Sequence, residues 1–180
     1  TQYDYQSYRG TLTSTTAPDG TVTSYTYNDF NDAITSVTSG NTTVSYAYDN
    51  SNRLTTITHN GFNYGFEYDS WGNVIKTTAA GAALSENTYD IDRNLLTGVS
   101  YGNGDTVEYV YNDYYDVVDE KKVDGVTKFI YHYDNNQNLA RLVDLENNIT
   151  TKYTYDLIGR ISGMTTSDGL RLGLKYDDKN

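Results

Sequence analysis

The stretch Tyr153-Thr154-Tyr155-Asp156-Leu157-Ile158-Gly159-Arg160-Ile161 decides the fold, because weaker copies of it recur from one end of the chain to the other. Aligned on the second tyrosine, the copies place Tyr5, Tyr27, Tyr48, Tyr68, Tyr89, Tyr111, Tyr133, Tyr155 and Tyr176 at intervals of 22, 21, 20, 21, 22, 22, 22 and 21 residues. The residue after the anchor is Asp or Asn in eight of the nine copies, among them Asp49, Asp69, Asp90, Asp134 and Asp156. Six positions after it stands an apolar or small residue: Ala33, Leu54, Val74, Leu95, Val117, Leu139 or Ile161. A beat of this length predicts an array in which each unit is stabilised by its neighbours and no single core exists.

Each unit reads as a two-stranded ribbon. In Thr21-Val22-Thr23-Ser24-Tyr25-Thr26-Tyr27 polar and aromatic residues alternate, which sets both tyrosines on one face of a strand. Asp49-Asn50-Ser51-Asn52, Asp69-Ser70-Trp71-Gly72 and Asp156-Leu157-Ile158-Gly159 have the Asx start of a tight turn, and Gly72 and Gly159 supply a residue tolerant of positive φ. A second turn closes each unit: Asn60-Gly61, Asp124-Gly125 and Asp168-Gly169 predict two-residue hairpins. The turns that open at Asp90 and Asn112 lack glycine and are expected to be looser, and Ala82-Ala83-Leu84 is the place to expect an irregular loop. The whole chain, residues 1–180, reads as one all-β array of about eight hairpins. Its roughly sixteen antiparallel strands exceed what an open twisted sheet holds, so the sheet is expected to curve or spiral, with anchor tyrosines stacking from unit to unit. Both ends interrupt the pattern at a similar phase, at Thr1 and Asn180, so the chain is read as a window from a longer array or a subunit that meets others end to end.

Composition narrows the function. Hydrophobic residues make up only 37%, yet 20 tyrosines offer rings to bury while their hydroxyls stay hydrated, so the chain is not read as disordered. A net charge of −11 argues against nucleic acid and anionic membranes as partners, and no apolar run is long enough to span a bilayer. Absence of cysteine excludes disulfides and thiolate chemistry. His59 and His132 have no second His or Cys to complete a metal set, and Asp90 with Asp92 is the best local carboxylate pair for calcium but lacks the loop pattern that binds it. The expectation is therefore no metal, no cofactor and no catalytic residue. Tyr27, Tyr48, Tyr68, Tyr89, Tyr111, Tyr133, Tyr155 and Tyr176 are read as structural anchors, together with the turn aspartates and glycines. Trp71 occupies a turn, where it either covers the adjacent unit or stacks on a sugar.

The unit Tyr-x-Tyr-Asp-x-x-Gly-Arg-Leu/Ile, best matched by Tyr153 to Ile161 and closely by Tyr46 to Leu54 and Phe66 to Val74, resembles the YD repeat of Rhs proteins, wall-associated bacterial proteins, Tc-toxin shell components and teneurins. The resemblance covers essentially the whole chain. It implies a β-ribbon that spirals into a hollow shell around an effector, and an exported protein at the cell surface or outside the cell. Because no autoproteolysis segment or variable toxin is recognisable, it implies a wall segment in contact with neighbouring repeats, other copies of the chain or an encapsulated effector. An adhesive array that binds surface glycans and a fibre built by end-to-end strand pairing are the alternatives.

Overall fold

The computed structural model describes residues 1–177; the expected C-terminal break at Asn180 lies outside them. Among the described residues the chain is all β, with seventeen strands and no helix, one strand more than expected. It divides into two compact units, Thr1–Glu86 and Asn87–Asn180.

In the first unit, β1 (Gln2–Tyr5), β2 (Leu12–Thr16), β3 (Val22–Tyr27), β4 (Ile34–Ser39), β5 (Thr42–Tyr48), β6 (Leu54–His59), β7 (Phe62–Tyr68) and β8 (Val74–Ala79) each pair antiparallel with the next, and β8 pairs with the start of β9 (Ala82–Tyr89). In the second unit, β10 (Leu96–Tyr101), β11 (Thr106–Tyr111), β12 (Val118–Val123), β13 (Val126–Tyr133), β14 (Leu139–Asp144), β15 (Ile149–Tyr155), β16 (Ile161–Thr166) and β17 (Arg171–Gly173) repeat the same meander. Alternation follows the sequence pattern: along β3, Thr23, Tyr25 and Tyr27 are half-buried while Val22, Ser24 and Thr26 are exposed. Among the described residues no hydrophobic side chain is fully buried. The structure is held by pairing and by its edges.

A register shift stands immediately before the anchor tyrosine at Tyr5, Tyr27, Tyr48, Tyr68, Tyr111, Tyr133 and Tyr155. A bulge bends its strand and re-aims the side chain, so a recurrent bulge gives every anchor the same tilt.

The turns after the anchors come in two lengths. At Asp49, Asp69, Asp134 and Asp156 the backbone N–H bonds the carbonyl four residues on, and the left-handed position falls to Asn52, Gly72, Gln137 or Gly159. At Asn28, Asp90 and Asn112 it bonds the carbonyl five residues on, and Asp32, Asn94 or Asp116 takes positive φ. The turns expected to be loose are therefore ordered and one residue longer. The same insertion corrects the apolar register: Ala33, Leu95 and Val117 close long turns, and the strands begin one residue later at Ile34, Leu96 and Val118.

Asn60–Gly61 and Asp124–Gly125 form two-residue hairpins with positive φ at both residues, as their sequence predicts. Asp168–Gly169 does not. There Thr166 N–H bonds the Leu170 carbonyl and Gly169 N–H bonds the Thr166 carbonyl, a wider turn whose N-terminal residue Thr166 also contacts Asp168 through its hydroxyl. Ala82-Ala83-Leu84 is not a loop: Ala80–Gly81 adopts the two-residue hairpin geometry, and Ala79 pairs with Ala82 and Thr78 with Ala83. The expected irregularity is a register shift between Thr77 and Thr78 that leaves Leu84 unpaired in the ladder. A paired neighbour on β8 outweighs the weak strand propensity of alanine.

Ala80 at φ 49° carries a Cβ in a region that disfavours it. Ala80→Asn, which reproduces the Asn60–Gly61 pair, is expected to raise stability by about 0.5–1 kcal/mol in urea unfolding. An unchanged or lower midpoint would count against that turn geometry.

Candidate functional site: the interlocked turn edge

The hairpins that join one repeat to the next are closed by a tight turn at one end and flare at the other. The paired register of β12 and β13 ends at Glu120 and Ile130, and that of β14 and β15 at Arg141 and Lys152. Beyond those pairs a strand-opening carbonyl has no ladder partner, and an unmet buried acceptor is costly.

The anchor tyrosine supplies the missing donor. Its hydroxyl donates to that carbonyl from Tyr27 to Leu12 (2.7 Å), Tyr48 to Ile34 (2.8 Å), Tyr68 to Leu54 (2.7 Å), Tyr111 to Leu96 (2.8 Å), Tyr133 to Val118 (2.9 Å), Tyr155 to Leu139 (2.8 Å) and Tyr176 to Ile161 (2.8 Å). Partial burial pushes the phenols of Tyr111, Tyr133 and Tyr155 further up from their ordinary range, so each remains a donor. Among the described residues these seven anchors are linked by the hydroxyl bond, where ring stacking was the expectation. Ring pairs form instead within a strand, Phe62 with Tyr64, and within a turn, Tyr114 with Tyr115. The bulge tilts each anchor across the flare toward a carbonyl, which no residue pattern displays.

The turn aspartates act as caps. Asp49 Oδ1 accepts from Ser51 and Arg53 backbone N–H groups, Asp156 Oδ1 from Ile158 and Arg160, and Asp134 Oδ1 from Asn136 and Asn138. Asp69 receives Trp71 and Asn73, and Asp90 receives Asp92 and Arg93. These backbone donors, with the Arg53, Arg93 or Arg160 guanidinium or the Asn138 amide, hold Asp49, Asp90, Asp156 and Asp134 below the ordinary carboxylate range. Asp69 is also held low, by the Asn73 side chain and turn N–H groups acting against desolvation.

Four arginines extend the clasp to the following turn. Arg53 Nε donates to Asp49 Oδ2 (2.7 Å), its Nη1 to the Asp69 carbonyl (2.9 Å), and its guanidinium lies 4.7 Å from the centre of the Tyr68 ring. Arg93 donates to Asp90 Oδ2 (3.0 Å), to the Asn112 carbonyl (3.3 Å) and to Asp116 (3.3 Å). Arg160 bonds Asp156 (2.7 Å) and covers Tyr176 at 4.1 Å, and Arg9 spans to Asp32 (2.9 Å) and the Asp29 carbonyl. Asn31 to Asn52 (2.7 Å) makes a neutral version of the same bridge.

Of the groups weighed for chemistry, His132 meets Arg141 (2.7 Å) and His59 is the exposed last residue of the otherwise half-buried β6. Asp90 and Asp92 do not converge as a carboxylate pair: the Asp90 carboxylate accepts the Asp92 N–H and the Arg93 guanidinium. Trp71 is 65% exposed at the tip of its turn, and Phe30, Ile91, Tyr114 and Leu157 stand out in the same way from theirs.

No family model matches the chain. It is similar over nearly its whole length to part of two bacterial nucleases. The tRNA3(Ser)-specific nuclease WapA of Bacillus spizizenii is 34% identical over 201 residues and the tRNA nuclease WapA of Bacillus subtilis 35%, each match covering 99% of this chain. The chain spans 8% of the length of these relatives. Among solved structures, a TcdB2-TccC3-TEV crystal structure matches with a TM-score of 0.62 at 15% identity, covering 91% of this chain and 10% of that one. The Tc holotoxin pore of Photorhabdus luminescens matches with a TM-score of 0.52 at 16% identity, over 93% and 11%. The hairpin fold is thus shared with Tc-toxin proteins, and the likenesses together support a repeat array of the Rhs/YD type.

Proposed function

We propose that the chain is a non-catalytic structural segment of an exported bacterial YD/Rhs-type protein, with residues 1–180 forming one array that contributes wall to a β-shell around an effector. The interlock carries this reading: anchor tyrosines and turn arginines join successive repeats edge to edge, with no buried hydrophobic core among the described residues, which suits a thin wall. Its partners are neighbouring repeats of the same protein and the enclosed effector. The nuclease activity named for the WapA relatives we attribute to a part of such proteins outside the matched 8%.

The test is an exchange. Replacing the matched segment of Bacillus subtilis WapA by this chain is expected to leave secretion and nuclease activity near the parent level, while the isolated chain leaves tRNA intact. Cleavage of tRNA by the isolated chain would overturn the reading.

The exposed Trp71 favours a second reading, in which the same edge stacks on surface glycans outside the cell. Loss of glycan binding in Trp71→Ala with an unchanged circular dichroism spectrum would support it; binding equal to wild type would dismiss it.

A further inference from the structure

The occupied arginine clasps define what the flared end of a hairpin binds: a turn carboxylate, the carbonyl that follows the next anchor tyrosine, and the face of that tyrosine. Arg53 has all three in Asp49, the Asp69 carbonyl and the Tyr68 ring. The turn after Tyr5 is also long, with Gln6 N–H bonded to the Thr11 carbonyl, and two long turns carry an arginine four residues after the anchor, Arg9 after Tyr5 and Arg93 after Tyr89. The long turn after Tyr27 carries Asn31 there, which bridges to Asn52. In the long turn after Tyr111 that position is Tyr115.

The rest of the socket is still built there. A groove of about 430 Å³ opens between this turn and the next, lined by Asn112, Tyr115, Asp119, Tyr133 and Asp134 among others. Tyr133 is the next anchor, and Asp134 follows it as Asp69 follows Tyr68. The turn-opening residue is Asn112 rather than an aspartate, so this corner lacks the usual charge. Asp119 restores it: the Asn112 amide donates to Asp119 Oδ2 at 3.3 Å. The residue equivalent to Asp119, second in its strand, is Thr13, Thr35, Thr55, Ile75, Thr97, Ala140 or Ser162 elsewhere, so Asp119 is the one acid in that column. Among the described residues no ion pair engages it. His132 also lines the groove, and Arg141 is held on that imidazole at 2.7 Å.

We propose that this groove receives a guanidinium group, an arginine side chain presented by another polypeptide segment. Its planar fork donates to the Asp119 carboxylate and the Asp134 carbonyl while its face lies on the Tyr133 ring, a combination that a lysine ammonium does not reproduce. The neighbouring flare, between the turns at Asp134 and Asp156, also forms a groove. There Asn138 Nδ2 already caps Asp134 Oδ2 at 3.1 Å, so that groove is the weaker receptor. The inference does not depend on the wall function.

The test uses the full chain, N-acetyl-arginine amide as probe, and amide NMR shifts. Shifts centred on Asp119, Tyr133 and Asp134 are expected, with binding weakened at least about tenfold for the neutral isostere N-acetyl-citrulline amide and by a similar factor in Asp119→Thr. Tyr115→Arg should fill the socket from within, as Arg93 does in its own turn, and abolish probe binding while the spectrum stays folded. Equal binding of the citrulline probe, shifts centred on other acidic turns, or undiminished binding by Tyr115→Arg would each overturn the proposal. Should Asp119→Thr fail to fold, Tyr115→Arg and the citrulline comparison decide it.

Discussion

Tyr133→Ala is expected to lower stability by about 2–3 kcal/mol, and Tyr133→Phe by about 1 kcal/mol. The phenylalanine variant keeps the half-buried ring but leaves the Val118 carbonyl, bonded at 2.9 Å in the native chain, without its donor. Alanine removes the ring as well, and with it the cover over the flared end of β12 and β13. In a structure with no buried hydrophobic core among its described residues, that cover is a large share of the local packing. Stability of an array is close to a sum of unit and interface terms, so the damage should stay local. Urea unfolding of the alanine variant is expected to become broader, and hydrogen exchange to rise first in β12 and β13. Uniform exchange throughout the chain, or a phenylalanine variant as stable as wild type, would refute the stapling role.

Acid is expected to release the turn edge. The carboxyls of Asp49, Asp90, Asp134 and Asp156 have folded pKa values depressed mainly by backbone N–H groups of their own turns. A depressed folded pKa means that the unfolded chain takes up protons first as pH falls. The stabilisation is therefore fully present above the ordinary aspartate range near pH 4 and is lost as pH drops through the lower folded values. Stability should be level from about pH 7 to pH 5 and then decline, with tyrosine fluorescence and far-UV circular dichroism changing together. Replacing Asp49, Asp90, Asp134 and Asp156 together by asparagine should lower the neutral plateau and flatten the acid limb. An acid limb of undiminished slope in that variant would place the pH dependence elsewhere.

Most of the fold was legible because it is written in period and turn chemistry. The beat of 20 to 22 residues marks the units, alternation in segments such as Thr21 to Tyr27 marks strands, and Asn60-Gly61 and Asp124-Gly125 demand positive φ at both positions. Propensity marks Ala82-Ala83-Leu84 as a loop, yet pairing across β8 and β9 governs it; the dipeptide marks Asp168-Gly169 as a two-residue hairpin, yet a backbone bond from Thr166 N–H to the Leu170 carbonyl widens that turn. The candidate groove was hidden further. Asp119 is unremarkable in a chain of 24 acids until the bulged register identifies its column and shows neutral residues elsewhere.

By itself the sequence determined that this is an all-β array of hairpins anchored on tyrosine and capped by aspartate, because those are local properties of a dozen residues repeated. Only the tertiary structure decided where the tyrosine hydroxyls go, which turns carry an extra residue, and which turn without an arginine keeps an open groove beside an acid. The tyrosine bonds join groups 14 to 16 residues apart across a flared strand pair, and the groove joins residues of two successive turns, so both are set by bulge and register rather than by any neighbouring residue.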